Sequence, residues 1–210
     1  MGKQPYHHRN LANALVERAI VKLDAPGDGN LSLRAIAKDV GVTAMAPYNH
    51  FDGKEDFLDA VAAEGFRMLS RDIEAVQGIS ETLEDVIAAH ITTYFEFSRR
   101  HPGLFRLLFE TGVRDAGSRA RKVSRTMFDG LCRALTGASG GMNTDDATSL
   151  ANLVFAAGHG ITVLSDRNLF RSVEEGADSV EQMISRASRA LAAEWQAPSR
   201  QEPQTERSSE

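Results

Sequence analysis

What this chain of 210 residues lacks narrows its class before any motif is read. A single cysteine, Cys132, leaves no internal disulfide framework and no zinc site built from several thiolates; its simplest reading is a small buried hydrophobe. Strand-like alternation is absent throughout. No apolar run reaches the roughly 18 residues of a membrane helix, and no N-terminal stretch has the order of a secretory signal, so a cytoplasmic location is expected. The GxSxG elbow, HExxH, the P-loop and the dinucleotide fingerprint are all missing, which argues against an enzyme. The glycine-rich GASGGMN (137–143) could suggest a phosphate cradle, but it lacks the GK[ST] ending and no strand precedes it. It reads as a loop. His90, His101, Cys132 and His159 match no local ligand spacing, so neither a metal site nor any other cofactor is expected.

Hydrophobic residues make up 42% of the chain, enough for a core, and the length suits one medium domain or two small ones. The net charge of −5 is unevenly placed. Residues 1–54 hold seven Lys/Arg against five Asp/Glu, a balance of +2 that leaves −7 for the rest. Such an asymmetry lets one end approach a polyanion while the other stays away from it.

The most telling segment is Leu31 to Lys54, LSLRAIAKDVGVTAMAPYNHFDGK. Ser32 can cap a first helix, whose Ile36, Ala37 and Val40 form an apolar edge. Gly41 ends it where a positive φ costs least. Thr43 then caps a second helix expected to run to about Phe51. Two short helices around a glycine turn form the unit that lays a recognition helix in the DNA major groove.

IAKDVGV, PYNHF and GKEDFLDAV, across about residues 9 to 65, resemble the N-terminal DNA-binding domain of tetracycline-repressor-type regulators. HPGLFRLLF (101–109) and FAAGHGITVLSD (155–166) resemble the C-terminal half of one subgroup, known for a Trp followed by a His-Gly pair. Phe155 stands where that Trp is usual. The resemblance implies an all-α protein: a three-helix DNA-binding domain (9–69, helix–turn–helix about 32–51), then a helical bundle for ligand binding and dimerisation (70–196). It implies a homodimeric repressor released from a palindromic operator by a small apolar effector. A ligand-independent regulator or an activator on the same scaffold is the alternative.

The periodicity agrees with an all-helical chain. Helices are expected over about 10–23, from Asp52 to Val76 with an Asp52–Glu55 capping box, and over 83–99, 104–110 and 114–135. Two more follow: 144–164, capped by Asn143 with Asp146, and a last one opened by Ser172 and Glu175 that carries Val180, Met183, Ile184, Ala187, Leu191 and Trp195 on one stripe. PGDGN (26–30) is a turn, Gly78 and Ser80 are a break, and 197–210 has the composition of a disordered tail.

By the resemblance, Thr43, Tyr48, His50 and Lys54 touch phosphates. Hydroxyls, an imidazole and a cation at a helix N-terminus are suited to that. Arg34 is a further phosphate candidate. Base contacts would come from Ala44, Met45, Ala46 and Asn49; without Arg or Lys, this helix cannot grip guanine bidentately. The ring of Pro47 could press on DNA. Tyr48 and Phe51 could equally fill the core, Phe51 above all.

At the other end, Tyr94, Phe95, Phe97, Phe105, Phe109, Met127, Phe128 and Phe155 are core residues by default and are also how an apolar pocket is built. The resemblance implies such a pocket, with Tyr94, Phe95, Phe105, Phe109, Met127 and Phe155 as walls and His90, Tyr94 and His159 as polar candidates. Gly158 and Gly160 within one helix suggest a close helix–helix approach, since each costs about 1 kcal/mol relative to Ala. By the resemblance the last two helices pair with their copies in a dimer, through Leu153, Ala157, Ile161, Leu164, Ile184, Ala187 and Leu191.

Overall fold

The computed structural model describes residues 8–25, 31–76, 82–109, 117–167 and 179–196, which form eight α-helices, one 3-10 turn and, among the described residues, no strand. Outside the described residues lie the 26–30 turn, the break at Gly78 and Ser80, the Ser172–Glu175 cap and the 197–210 tail.

Helix α1 (His8–Asp24) buries the stripe Leu15, Val16, Ala19, Ile20 and Leu23. It packs on α2 (Leu33–Val40), whose Leu33, Ile36 and Ala37 turn inward. The Ser32 carbonyl accepts from Ile36 N–H at 3.0 Å, but the expected hydroxyl cap does not form. Ser32 is exposed, where water can take the orphan donors instead. Gly41 closes α2 in the left-handed region (φ 81°), with Val42 N–H bonded to Ala37 O at 2.9 Å and Gly41 N–H to Lys38 O at 3.0 Å. This is a glycine-closed helix end of the Schellman kind.

The second helix expected from Thr43 to Phe51 is shorter than the sequence suggested. Only a 3-10 turn, Ala46–Asn49, forms there. Ala46, Tyr48 and His50 N–H groups bond three residues back, to Thr43, Met45 and Pro47 carbonyls. Pro47 has no N–H to give to Thr43, so the four-residue ladder cannot start here.

Helix α3 (Lys54–Val76) runs unbroken through the boundary placed at 69/70. The carboxylate that reaches back to its start is that of Asp56, accepting from Asp52 N–H at 3.1 Å, rather than that of Glu55. Helix α4 (Leu83–Arg100) opens on a full Thr82–Asp85 capping box. Helices α5 (Pro102–Phe109) and α6 (Arg119–Ala138) follow, the second capped by Ser118. Helix α6 takes in Gly137 and Ala138, so the glycine loop shrinks to a tight turn in which Gly140 and Gly141 have φ of 79° and 108°. Helix α7 (Thr144–Asp166) is capped by Asn143 at Asp146 N–H, as its sequence implied, and α8 (Val180–Gln196) completes the bundle.

Two cores result. One joins α1 and α2 to α3, α4 and α5, through Phe51, Phe57, Phe66, Tyr94, Phe97 and Leu104. The other unites α4, α6, α7 and α8 around Ile87, Ile91, Leu135, Leu150 and Ile184. Two glycines set the distance between layers. A Cβ on Gly65 would meet Leu104 and Leu108 at 3.0 Å, so α3 and α5 approach closely; Gly103 holds α5 against the end of α1.

The close approach expected at Gly158 and Gly160 is not found inside the protomer. A Cβ on Gly158 would have ordinary contact with Ile91 at 3.6 Å, and Gly160 has nothing within 4 Å. By length and composition α7 is apolar enough to cross a membrane, contrary to the reading of the sequence. Its Leu150, Ala151, Val154, Gly158 and Ile161 nevertheless lie buried in the bundle, the pattern of a core helix.

Candidate nucleic-acid interface and ligand cavity

Beyond Gly41 the chain turns outward and presents consecutive side chains to solvent. Thr43, Ala44 and Asn49 are exposed, as is Met45 at 67% and Tyr48 at 43%. Ala46 and His50 are half-buried, and Arg34 and Lys54 are exposed on the first turns of α2 and α3. The exposure of Tyr48 removes it from the core. Phe51 is core, 5.0 Å from the Phe57 ring. Pro47 is buried, so its ring braces the turn from inside and cannot press on DNA.

How this edge is held is not legible in the local pattern of residues. Asp39 on α2 accepts from Arg18 on α1 at 3.0 Å, and Lys22 lies 3.7 Å away. The Arg18 hydrogen bond holds the Asp39 carboxyl below its usual range. The pair ties α1 to α2, and the segment 43–50 itself carries no acidic side chain.

At the other end, five of the expected pocket residues instead form a packed cluster. Tyr94 lies 5.3 Å from both Phe105 and Phe109, 5.9 Å from Phe155 and 6.2 Å from His159, ring centre to ring centre. Tyr94 Oη and His159 Nδ1 are 2.8 Å apart; burial pushes the phenol up, so it stays protonated and can donate. Phe66 of α3, not anticipated, closes the cluster edge-on against Phe109 at 5.7 Å.

The open space lies beside this cluster. A cavity of about 900 Å³ is bounded by α3, α5, α6 and α7. Of the expected residues, Phe109, Met127 and Phe155 line it; His90, Tyr94, Phe95, Phe105 and His159 do not. Phe66, Leu108, Phe128 and Cys132 complete its apolar wall, and Arg121, Arg125, Asp129, Arg133, Thr148 and Asn152 its polar one. Burial raises the Cys132 thiol above its ordinary value. Phe95 and Phe105 border a separate recess of about 300 Å³, with the Arg99 guanidinium 5.9 Å above the Phe95 ring. His90 is sealed in α4 with Nδ1 unpartnered, and burial lowers its pKa to about 4. Among the described residues no three His, Cys, Asp or Glu side chains converge on a metal-sized space.

The candidate dimer residues divide in two. Leu153 and Leu164 are exposed at 43% and 40%, and Ala157 is half-exposed beside them on α7. Ile161 and Ile184 are buried in the protomer's own core, so they support α7 and α8 from within and present no surface to a copy. Ala187 and Leu191 are half-buried against the same core.

A helix, glycine turn and exposed edge are joined by one long helix to a cavity-bearing bundle, a two-part, all-helical arrangement. Residues 87–187 match the family model of the tetracyclin repressor-like C-terminal domain. An uncharacterised helix–turn–helix-type transcriptional regulator of Haemophilus influenzae is 30% identical over 96 residues, 45% of this chain and 47% of that protein. The chain therefore spans about half the length of that curated relative. Among solved structures, a Rhodococcus sp. RHA1 protein of unknown function is 29% identical, with a TM-score of 0.73 over 91% of this chain and 98% of the other. A tetR-family transcriptional regulator from Streptomyces coelicolor shares the fold at 14% identity, with a TM-score of 0.66 over 89% of this chain and 81% of its own. Residues 87–187 are thus identified as a tetracyclin repressor-like C-terminal domain, and the chain as a whole has the fold of a tetR-family transcriptional regulator. Its membership of the Trp/His-Gly subgroup does not follow from these matches.

Proposed function

We propose that the protein is a homodimeric, ligand-responsive repressor that binds a palindromic operator in cytoplasmic DNA. The observation that carries this reading is the exposed edge of Thr43, Ala44, Met45, Tyr48 and Asn49, held out by a glycine-closed α2 on a chain of this fold. Tyr48, His50, Lys54 and Arg34 would position the protein on phosphates, and Met45 and Asn49 would read bases. Thymine methyls suit Met45, and adenine suits Asn49. The 3-10 turn Ala46–Asn49 follows directly on Met45 and ends at Asn49, so both side chains would meet the same stretch of groove.

Dimerisation would use the open face of α7. Leu153, Ala157, Gly160 and Leu164 recur at intervals of four, three and four residues, which is one helical stripe. Gly160, where a Cβ would meet nothing within 4 Å in the protomer, would let a copy approach there. A two-fold dimer presents two identical edges, hence a palindrome. A small ligand in the cavity would act through α5 and α3, which both line it and both adjoin the DNA-binding helices.

Selection from random DNA with the purified full chain tests the reading. Palindromic sites are expected, with half-site centres about 34–36 Å apart or a multiple of that. Recovery of asymmetric single sites, or of nothing above background, would overturn it.

A further inference from the structure

The cavity wall carries three arginines and one aspartate in a chain whose net charge is −5. These four charges lie along one face of α6, and their order matters. Asp129 is one turn from both Arg125 and Arg133, so it tempers those two. Arg121 and Arg125 are neighbours one turn apart, and Arg121 has no acidic counterpart in that wall. Arg119 shows what a satisfied cation on this helix looks like: Asp56 at 2.6 Å and Asp59 at 3.7 Å hold it. Among the described residues neither Arg121 nor Arg125 makes an ion pair. Two like charges at this spacing repel, and the one acid in the wall, Asp129, is a turn from Arg125 but two turns from Arg121, so the repulsion is only partly offset. Beside them the wall is apolar: Phe66, Phe128 and Phe155.

We infer that the cavity takes an amphipathic anion, whose carboxylate lies between Arg121 and Arg125 and whose apolar body lies against Phe66, Phe128 and Phe155. A carboxylate there relieves the repulsion between the guanidiniums, and each fork can donate two parallel N–H bonds to it. A cationic head would add a third positive charge to the pair. A neutral head would bury no charge but would leave both forks unused. Charge at the head therefore decides which amphipath binds, while the body supplies affinity through burial. This rests on the proposed effector site and names the chemistry of its ligand.

Calorimetric titration of the full chain with decanoate, decanol and decylammonium, and with 2-naphthoate against 2-naphthol, tests it. Each carboxylate should bind at least about tenfold tighter than its neutral partner, the gain of one charge-assisted hydrogen-bonded contact. Decylammonium should bind weakest. In Arg121→Gln/Arg125→Gln the preference for carboxylate should vanish while decanol binding persists, which separates loss of the site from loss of the fold. Arg189→Gln, which removes a cation from α8 beside Glu84, should leave the preference intact. Equal binding of the three decyl compounds, a preference surviving the double substitution, or no binding by either series would overturn the inference. Operator binding measured on the same samples keeps the two readings apart. Carboxylate binding that depends on both arginines but leaves operator affinity unchanged would refute the effector role alone. Operator release by an uncharged ligand, with no carboxylate preference, would refute the inference alone.

Discussion

Gly103, in the first turn of α5, lies so close to the Leu23 carbonyl that a Cβ on it would stand 1.9 Å from that oxygen. The contact joins the last turn of α1, in the DNA-binding part, to the corner between α4 and α5. Asp24 reinforces it: one carboxylate oxygen accepts from His101 Nδ1 at 2.7 Å and the other from Leu104 N–H at 3.1 Å. The far end of α5 carries Leu108 and Phe109 into the cavity wall. One eight-residue helix thus touches both the proposed ligand site and the helix that braces the DNA-binding edge.

Gly103→Ala is expected to force α5 away from α1 and to destabilise the chain by ~1–3 kcal/mol, the usual range for an overpacked core site. Urea unfolding measures it. A variant as stable as the parent would mean that the corner yields easily and transmits little.

Tyr48→Phe and Lys54→Ala should weaken binding to all DNA sequences about equally, because phosphate contacts position without specifying. Lys54→Ala should also reduce the salt slope of binding by about 1. Met45 or Asn49 replacements should alter the preferred base at one position per half-site. Titrations at several salt concentrations on two operator variants distinguish these roles; a changed sequence preference in Lys54→Ala would reverse them.

Leu153→Glu combined with Leu164→Glu should give a folded monomer with weak operator affinity. Both side chains are exposed in the protomer, so the charges cost little there but would be buried in a dimer. Sedimentation equilibrium and helical circular dichroism are the checks. A dimer that survives both substitutions would place the interface elsewhere.

His90 predicts a loss of stability in acid. Burial lowers its folded pKa from 6.5 to about 4, so below pH 6.5 the unfolded chain takes up a proton that the folded chain refuses. Its contribution is complete above 6.5 and declines as pH falls toward 4, by up to about 1.4 kcal/mol per pH unit. His90→Leu should flatten the pH dependence of unfolding in this window. An unchanged slope would assign the acid sensitivity to other groups.

Helix-forming segments were readable because each states its own period and its own ends. Thr144–Asp166 carries Asn143 at its start, and Gly41 marks the only kind of backbone that can close α2 so tightly. These are local signals, involving groups within about one turn of each other. The exposed positions around Met45 and Asn49 followed from the same local reasoning. The length of the turn did not, since Pro47 proved to be a buried brace whose missing N–H favours a 3-10 form.

What the amino-acid order determined by itself was the all-helical class, most helix ends and the segment that carries the nucleic-acid edge. What only tertiary structure decided was which aromatic residues pack and which bound empty space. Tyr94, Phe105 and His159 fill a cluster, while Phe128 and the two arginines one turn apart face a cavity. Periodicity says which face of a helix turns inward, but packing against helices distant in the chain decides whether that face is filled. The same reason explains Gly65 and Gly103, whose necessity lies in Leu104 and Leu23, groups that no local pattern connects to them.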